Sequence, residues 1–325
     1  MPTEQVHRTS HQVEADAPAD TVYALLADAE RWPLLFPPTV HVRRLDPPAT
    51  GGTGAPGTGA PGSRPGTAAE RLQIWATANG TLKHWTSRRD LDPVARRIGF
   101  RQEVPAPPLS AMGGTWTVDP LGPGRCRVTL LHDFRVAGDR AEDVAWVLRA
   151  TDTNSRAELA RLARLAERPR RLEGLLFSFA DRLRIEEPAP AVLDRLDHGA
   201  LWPAPVPATA ASGAAAGTPE PPAAAVVRLP QEARVVFKTP GPVAPLAVHT
   251  GSWTVTAEGP GAATVTVRQR VVLRTEADRP RVRQDVREEL GRAARTALAR
   301  LRDAHALILC SGLRESAGFA TGERL

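Results

Sequence analysis

The sequence predicts an α+β protein built twice over, each copy an antiparallel sheet followed by a long helix. Three observations predict it. Short stretches of alternating apolar and polar residues are punctuated by turn formers. They run into a longer apolar pattern at helical spacing. That order then occurs a second time within the 325 residues.

Val6–Glu14 reads as the first strand. Asp16 is placed to cap a short helix carrying Val22, Leu25 and Leu26, with a further helical turn reaching Trp32-Pro33. Thr39–Asp46 alternates as a strand, and Pro47–Pro65 is Gly/Pro/Thr low complexity, a long mobile loop spanning 47–69 with its flank. Glu70–Ala78, Thr81–Leu91, Arg97–Glu103, Gly114–Asp119 and Arg125–Val136 complete a run of six strands. Asp139 and Glu142 have capping-box spacing, and Val144, Val147, Leu148, Leu159 and Leu162 follow with helical period.

The second half repeats this order. Pro18, Val22, Leu26 and Trp32-Pro33 match Pro188, Val192, Leu196 and Trp202-Pro203, 170 positions later. The strand Arg97–Arg101 matches Arg234–Lys238, Gly114–Val118 matches Gly251–Val255, and Gly122–Gly124 matches Gly259–Gly261, all 137 positions later. The drop of 33 positions falls between Trp202-Pro203 and Arg234, where Ala204–Ala225 is Ala/Pro/Gly/Ser-rich, so one or two strands are expected to be missing there. The expected domains are residues 1–169 and 170–325, the second with a low-complexity stretch at 203–225 and a reduced sheet.

Gly80–Asp90 is the stretch that suggests chemistry. On a strand, Trp85, Ser87, Arg89 and Leu91 share one face and His84, Thr86, Arg88 and Asp90 the other. The first face sets a guanidinium and a hydroxyl among apolar groups, which is costly without a partner or a ligand. A surface arginine paired with Asp90 or Asp92 is the plainer reading. The repeat argues against it: Arg89 falls on Val226, Ser87 on Ala224 and His132 on Gln269, so the second copy dispenses with the polar set.

Composition excludes several classes. Hydrophobic residues make up 42% and charged residues 24%, a globular balance. Net charge is +6, yet only Lys83 and Lys238 of the 42 basic residues are lysines, a compositional bias rather than a basic motif. No basic run with interleaved aromatics suggests nucleic acid. No apolar run of about eighteen residues suggests a membrane span. Cys126 and Cys310 are too few and too far apart for a disulfide framework or a metal site. A cytoplasmic protein is expected.

ERWPLLFPP (30–38), GTLKHWTSRRD (80–90), MGGTWTV (112–118), LLHDFRV (130–136) and DTNSRAELARL (152–162) together resemble the aromatase/cyclases of bacterial type II polyketide synthases. FSFADRLRI (177–185), ARVVFKT (233–239) and HTGSWTV (249–255) are similar to the second domain of the didomain members. The resemblance implies tandem helix-grip domains of the START/Bet v 1-like kind, each a curved antiparallel sheet around a long C-terminal helix, paired as an internal pseudo-dimer. It implies a poly-β-ketone, already ketoreduced and tethered to acyl carrier protein, whose first ring (C7–C12) closes by aldol reaction and dehydrates. It implies contact with other type II polyketide synthase components, and neither metal nor redox cofactor. Arg89 suits a developing oxyanion. His132, alternating with Val128, Leu130 and Phe134, suits proton shuttling. Ser87 suits a hydrogen bond to substrate, and Asp152 and Asn154 on the long helix suit orientation of His132 or substrate, with an exposed helix face the other reading for Asp152. Trp32, Phe36, Trp85, Phe100 and Trp116 would form the walls. A non-catalytic START-like carrier of a hydrophobic ligand, or an assembly subunit that shapes a neighbouring enzyme, remains an alternative.

Overall fold

The architecture is that of a computed structural model, which describes residues 4–45, 67–78, 80–167, 174–198, 224–239, 241–242, 244–274 and 280–317. Residues 47–66 of the expected loop, 203–223 of the low-complexity stretch and the expected 169/170 boundary lie outside the described residues. The chain divides into two compact units, Met1–Gly174 and Leu175–Leu325.

The first unit runs β1 (His7–Ala15), α1 (Ala19–Ala27), a 3-10 turn (Ala29–Arg31), α2 (Trp32–Leu35), β2 (Thr39–Arg44), β3 (Ala68–Ala78), β4 (Thr81–Asp92), β5 (Arg97–Val104), β6 (Leu109–Gly122), β7 (Arg125–Val136) and α3 (Ala141–Ala166). One seven-stranded sheet has the order β1-β7-β6-β5-β4-β3-β2. Each strand pairs antiparallel with its neighbour. Gly80 turns the β3–β4 hairpin at φ +78°, a conformation open to glycine at little cost. Alternation sends Val128, Leu130 and Phe134 of β7 into the core together with Val147, Leu159 and Leu162 of α3. Leu148, one position from Val147 and so about 100° round the helix, is exposed instead.

Two capping expectations fail. Pro18, not Asp16, precedes α1, and no side chain caps it. At α3 the cap position is Arg140, again without a side-chain cap. Glu142 pairs with Arg140, and Asp139 takes a left-handed backbone (φ 49°) and accepts the backbone N–H of Gln5 at 2.8 Å. Both members of the predicted box are committed elsewhere.

The second unit runs β8 (Leu176–Ile185), α4 (Ala189–His198), β9 (Ala225–Leu229), β10 (Arg234–Thr239), β11 (Leu246–Ala257), β12 (Ala263–Leu273) and α5 (Pro280–Ala317). Its antiparallel sheet has the order β8-β12-β11-β10-β9. By the repeat offset β9 matches the end of β4, and no described strand matches β2 or β3. The duplication reaches to atomic detail. A Cβ on Gly114 would meet the Phe100 ring at 2.6 Å and the Leu131 carbonyl oxygen at 2.0 Å. On Gly251 it would meet the Phe237 ring at 2.6 Å and the Arg268 carbonyl oxygen at 2.4 Å. Each glycine lets a phenylalanine of the next strand lie flat across the sheet.

Candidate functional site

A cavity opens in the first unit between the inner face of the sheet and α3. Its aromatic walls are Trp32, Phe36, Trp85, Phe100, Trp116 and Trp146. The α2 turn packs Trp32 edge-on against Phe36, with centroids 5.5 Å apart, and Phe36 lies parallel to Trp116 at 6.4 Å and 10°. Flat walls of this kind favour a flat or conjugated occupant.

The pleat of β4 sends Lys83, Trp85, Ser87 and Arg89 into this cavity, while Arg88 and Asp90 pair with each other outside at 3.2 Å. Arg89 is therefore not the surface arginine of the plainer reading: it is only 1% exposed. Its Nε donates to Glu70 Oε1 at 2.8 Å, Nη1 to the Leu26 carbonyl at 3.0 Å, and Nη2 to the Ala27 carbonyl at 2.7 Å and to Glu70. The guanidinium stacks on Trp32 at 4.8 Å. Four of its five N–H groups are thus engaged, which leaves one, on Nη1, for anything else. Burial pushes the guanidinium below its usual pKa, and Glu70 opposes that shift.

Ser87 is buried and donates to the Arg101 carbonyl at 3.2 Å. No imidazole or carboxylate is bonded to it, so the lone pairs of its oxygen, not nucleophilic attack, are what it offers. His132 lines the cavity and meets Phe100 edge-on at 5.5 Å. Burial, reinforced by nearby His11, pushes its pKa down to about 4, so at neutral pH it is an uncharged imidazole.

On α3 the expectation divides. Asn154 lines the cavity and donates to the Thr77 carbonyl at 3.1 Å. Asp152 does not belong to the cavity: its side chain is 49% exposed, hydrogen-bonded to His11 at 2.9 Å and paired with Arg156. Residues two apart on a helix point about 200° apart, so 152 and 154 could not both face inward. The inward polar face is Thr151, Asn154, Ser155 and Glu158, a spacing of three, four and seven that the sequence displays. Gln102, Lys83 and Glu70 were also missed. Glu70 had no legible signal, because only strand pairing brings it opposite Arg89.

A family profile described as "Polyketide cyclase / dehydrase and lipid transport" matches residues 15–157. The chain is 41% identical over 214 residues to the granaticin polyketide synthase bifunctional cyclase/dehydratase of Streptomyces violaceoruber, covering 66% of this chain and 60% of that protein. It is 41% identical over 198 residues to the actinorhodin polyketide synthase bifunctional cyclase/dehydratase of Streptomyces coelicolor, covering 60% of this chain and 55% of that protein. The chain thus matches only about three fifths of the length of these relatives. Among solved structures, the di-domain ARO/CYC BexL from the BE-7585A biosynthetic pathway is 36% identical, with a TM-score of 0.64, over 91% of this chain and 98% of that one. The di-domain ARO/CYC StfQ from the steffimycin biosynthetic pathway shares the fold at 24% identity and a TM-score of 0.62, over 90% and 97%. Two kindred units, a flat-walled cavity in the first of them and a match to BexL along nearly its whole length place this chain in the family of di-domain polyketide aromatase/cyclases.

Proposed function

We propose that the first unit is an aromatase/cyclase acting on a ketoreduced poly-β-ketone presented by an acyl carrier protein. The chain folds against Trp32, Phe36 and Trp116, the first ring (C7–C12) closes by aldol addition, and the adduct loses water. The observation that carries this reading is the meeting of an aromatic-walled cavity with polar groups that include Arg89, the Ser87 hydroxyl, the Asn154 amide and the His132 imidazole. Arg89 offers its single remaining N–H to the carbonyl oxygen that gathers charge as the enolate adds. His132, neutral at pH 7, donates a hydrogen bond or relays a proton rather than storing one. A chain of alternating ketones is reactive by itself, so most of the effect lies in choosing which carbons meet.

The test is reconstitution with a minimal polyketide synthase, its carrier protein and a ketoreductase. Wild-type protein is expected to direct the chain to one aromatic first ring. His132→Leu, folded by circular dichroism, is expected to release shunt products instead. A carrier that only holds its ligand would give the same product identity with either protein.

A further inference from the structure

Four polar atoms on one patch of β1 and β7 are sealed from solvent and have no partner within the protein: His7 Nε2, Thr9 Oγ1, His11 Nδ1 and His132 Nδ1. Sealed polar atoms without partners are uncommon and costly, and four together call for an explanation. The register places them. Thr9 stands directly opposite His132, with His11 opposite Leu130 and His7 opposite Phe134. Directly opposed residues point to the same face, with Cβ atoms about 5 Å apart. His7, Thr9 and His11 alternate along β1 and share that face. His7 is stacked on Phe134 at 5.3 Å, which accounts for its ring. The remaining three side chains stand next to one another in a line, His11 to Thr9 along β1 and Thr9 to His132 across the pair, with no hydrogen bond joining them.

The outer end of this line is tied to solvent. His11, whose side chain is only 9% exposed, holds Asp152 Oδ1 at 2.9 Å through Nε2, and Asp152 is 49% exposed. That hydrogen bond, with help from Arg156, holds the Asp152 carboxyl below its usual pKa. The inner end is His132, which lines the cavity while its Nδ1 is closed off behind. A metal does not explain the group, since among the described residues no three His, Cys, Asp or Glu side chains come together as ligands.

We propose that Asp152, His11 and Thr9 form a proton relay that fixes the His132 tautomer and feeds protons through it into the cavity. The donors and acceptors match in two arrangements, one before a proton is delivered and one after, and the first is the resting one. With His11 doubly protonated, Nε2–H donates to Asp152 and Nδ1–H to Thr9 Oγ1; the Thr9 hydroxyl donates to His132 Nδ1, leaving His132 Nε2–H pointing at the substrate. A turn of Thr9 about χ1, or one water molecule in this polar seam, closes the links. The inference rests on the reading of the cavity given above and assigns the acid for its dehydration step. In the enolate of the aldol adduct, the C–O bond breaks with its electron pair on oxygen as the enolate electrons form the C=C bond. That oxygen takes the Nε2 proton, Nδ1 takes the Thr9 proton, and Thr9 takes the Nδ1 proton of His11. Water leaves and neutral His11 regains a proton from solvent beside Asp152. His132 is never required to exist as a cation, which its buried position disfavours. The charged and titratable groups about the relay are Asp152 and Arg156 on α3, His7 on β1 and Asp133 on β7. His11 and Thr9 are positioning and relay residues, because neither lines the cavity.

The experiment compares wild type, Thr9→Val, Thr9→Ser, His11→Phe and His132→Leu in the reconstituted synthase, with nitrogen-15 shifts of His132 recorded in wild type and Thr9→Val. The expected result is an aromatisation rate at least about tenfold lower in Thr9→Val and His11→Phe, recovery in Thr9→Ser, and cyclised but undehydrated product accumulating. His132 is expected as the Nε2–H tautomer in wild type, with a mixture in Thr9→Val. Wild-type rates from Thr9→Val and His11→Phe beside a defective His132→Leu would overturn the relay and leave the cyclase reading intact. Wild-type product from His132→Leu as well would overturn both. Should Thr9→Val fail to fold, an Nδ1–H tautomer of His132 in the wild-type protein would overturn the relay by itself.

Discussion

Glu70 and Arg89 face each other directly across the β3–β4 pair, and the carboxylate of the one receives the guanidinium Nε of the other at 2.8 Å. Glu70 also takes Arg44 at 3.1 Å, so one carboxylate serves two arginines. The same guanidinium ties β4 to the carbonyls of Leu26 and Ala27 at the end of α1, and Leu26 in turn receives Trp32 Nε1 at 3.2 Å. Arg89 therefore builds the wall it stands behind, with one Nη1 N–H left over.

These two duties separate by mutation. Glu70→Gln strands a buried cation and is expected to cost about 3–5 kcal/mol in urea unfolding. Glu70→Leu combined with Arg89→Met replaces the pair by apolar groups and is expected to regain most of that stability. If Arg89 also acts on substrate, the double variant will be folded yet give shunt products. Wild-type product from it would assign Arg89 to architecture alone.

The depressed pKa of His132 makes stability pH-dependent with a definite sign. Its folded value is about 4 against an ordinary 6.5, so between these pH values the unfolded chain binds a proton that the folded protein does not. Stability is therefore fully present above about pH 6.5 and falls as pH drops toward 4, by an order-of-magnitude total of about 3 kcal/mol. Buried His249 is shifted the same way and adds to the loss. Urea midpoints at pH 7.5, 5.5 and 4.5 should fall in that order, and less steeply in His132→Gln. An equal slope in the variant would contradict the assignment.

Gly114→Ala is expected to destabilise the first unit by about 1–3 kcal/mol, because its Cβ would run into a backbone carbonyl and the Phe100 ring, neither of which gives way freely. Phe100 is also the ring that abuts His132. Loss of product fidelity should thus accompany the fall in melting temperature. Gly251→Ala makes the same collision in the second unit and should lower stability without altering the product.

The sequence disclosed what depends on period and left hidden what depends on pairing. Alternation in β4 was enough to turn Arg89 inward, and alternation in β7 did the same for His132. Strand order and register cannot be read from one chain, so Glu70 as partner of Arg89 and Thr9 as neighbour of His132 were invisible. For Asp152 the exposed helix face is the reading that holds, since it stands two positions from inward-facing Asn154. The loss of Arg89 from the second copy also has a simpler cause than selective chemistry. No described strand there corresponds to β3, so an arginine at the Val226 position would lack the carboxylate that Glu70 supplies. Absence from one copy is thus weaker support for catalysis than the repeat alone suggested. The stronger support is the cavity that Arg89, Ser87 and His132 share.

The second copy is not stripped of buried polarity either. Gln269, at the position matching His132, receives or shares a hydrogen with His249 Nε2 at 2.6 Å and donates to the Leu290 carbonyl of α5 at 3.2 Å. His249 completes the set through Thr239 at 3.1 Å and sits edge-on to Phe237 at 5.4 Å, as His132 does to Phe100. These ring nitrogens and amide atoms satisfy one another, whereas His132 keeps an Nδ1 with no such partner. A satisfied network of this kind fastens a helix to a sheet. Gln269→Leu is accordingly expected to lose about 1–3 kcal/mol, with faster hydrogen exchange confined to β11, β12 and α5. The aromatic product of the reconstituted synthase should be unchanged in identity. A shifted product pattern from this variant, with exchange in the first unit unaltered, would assign the second unit a part in the chemistry.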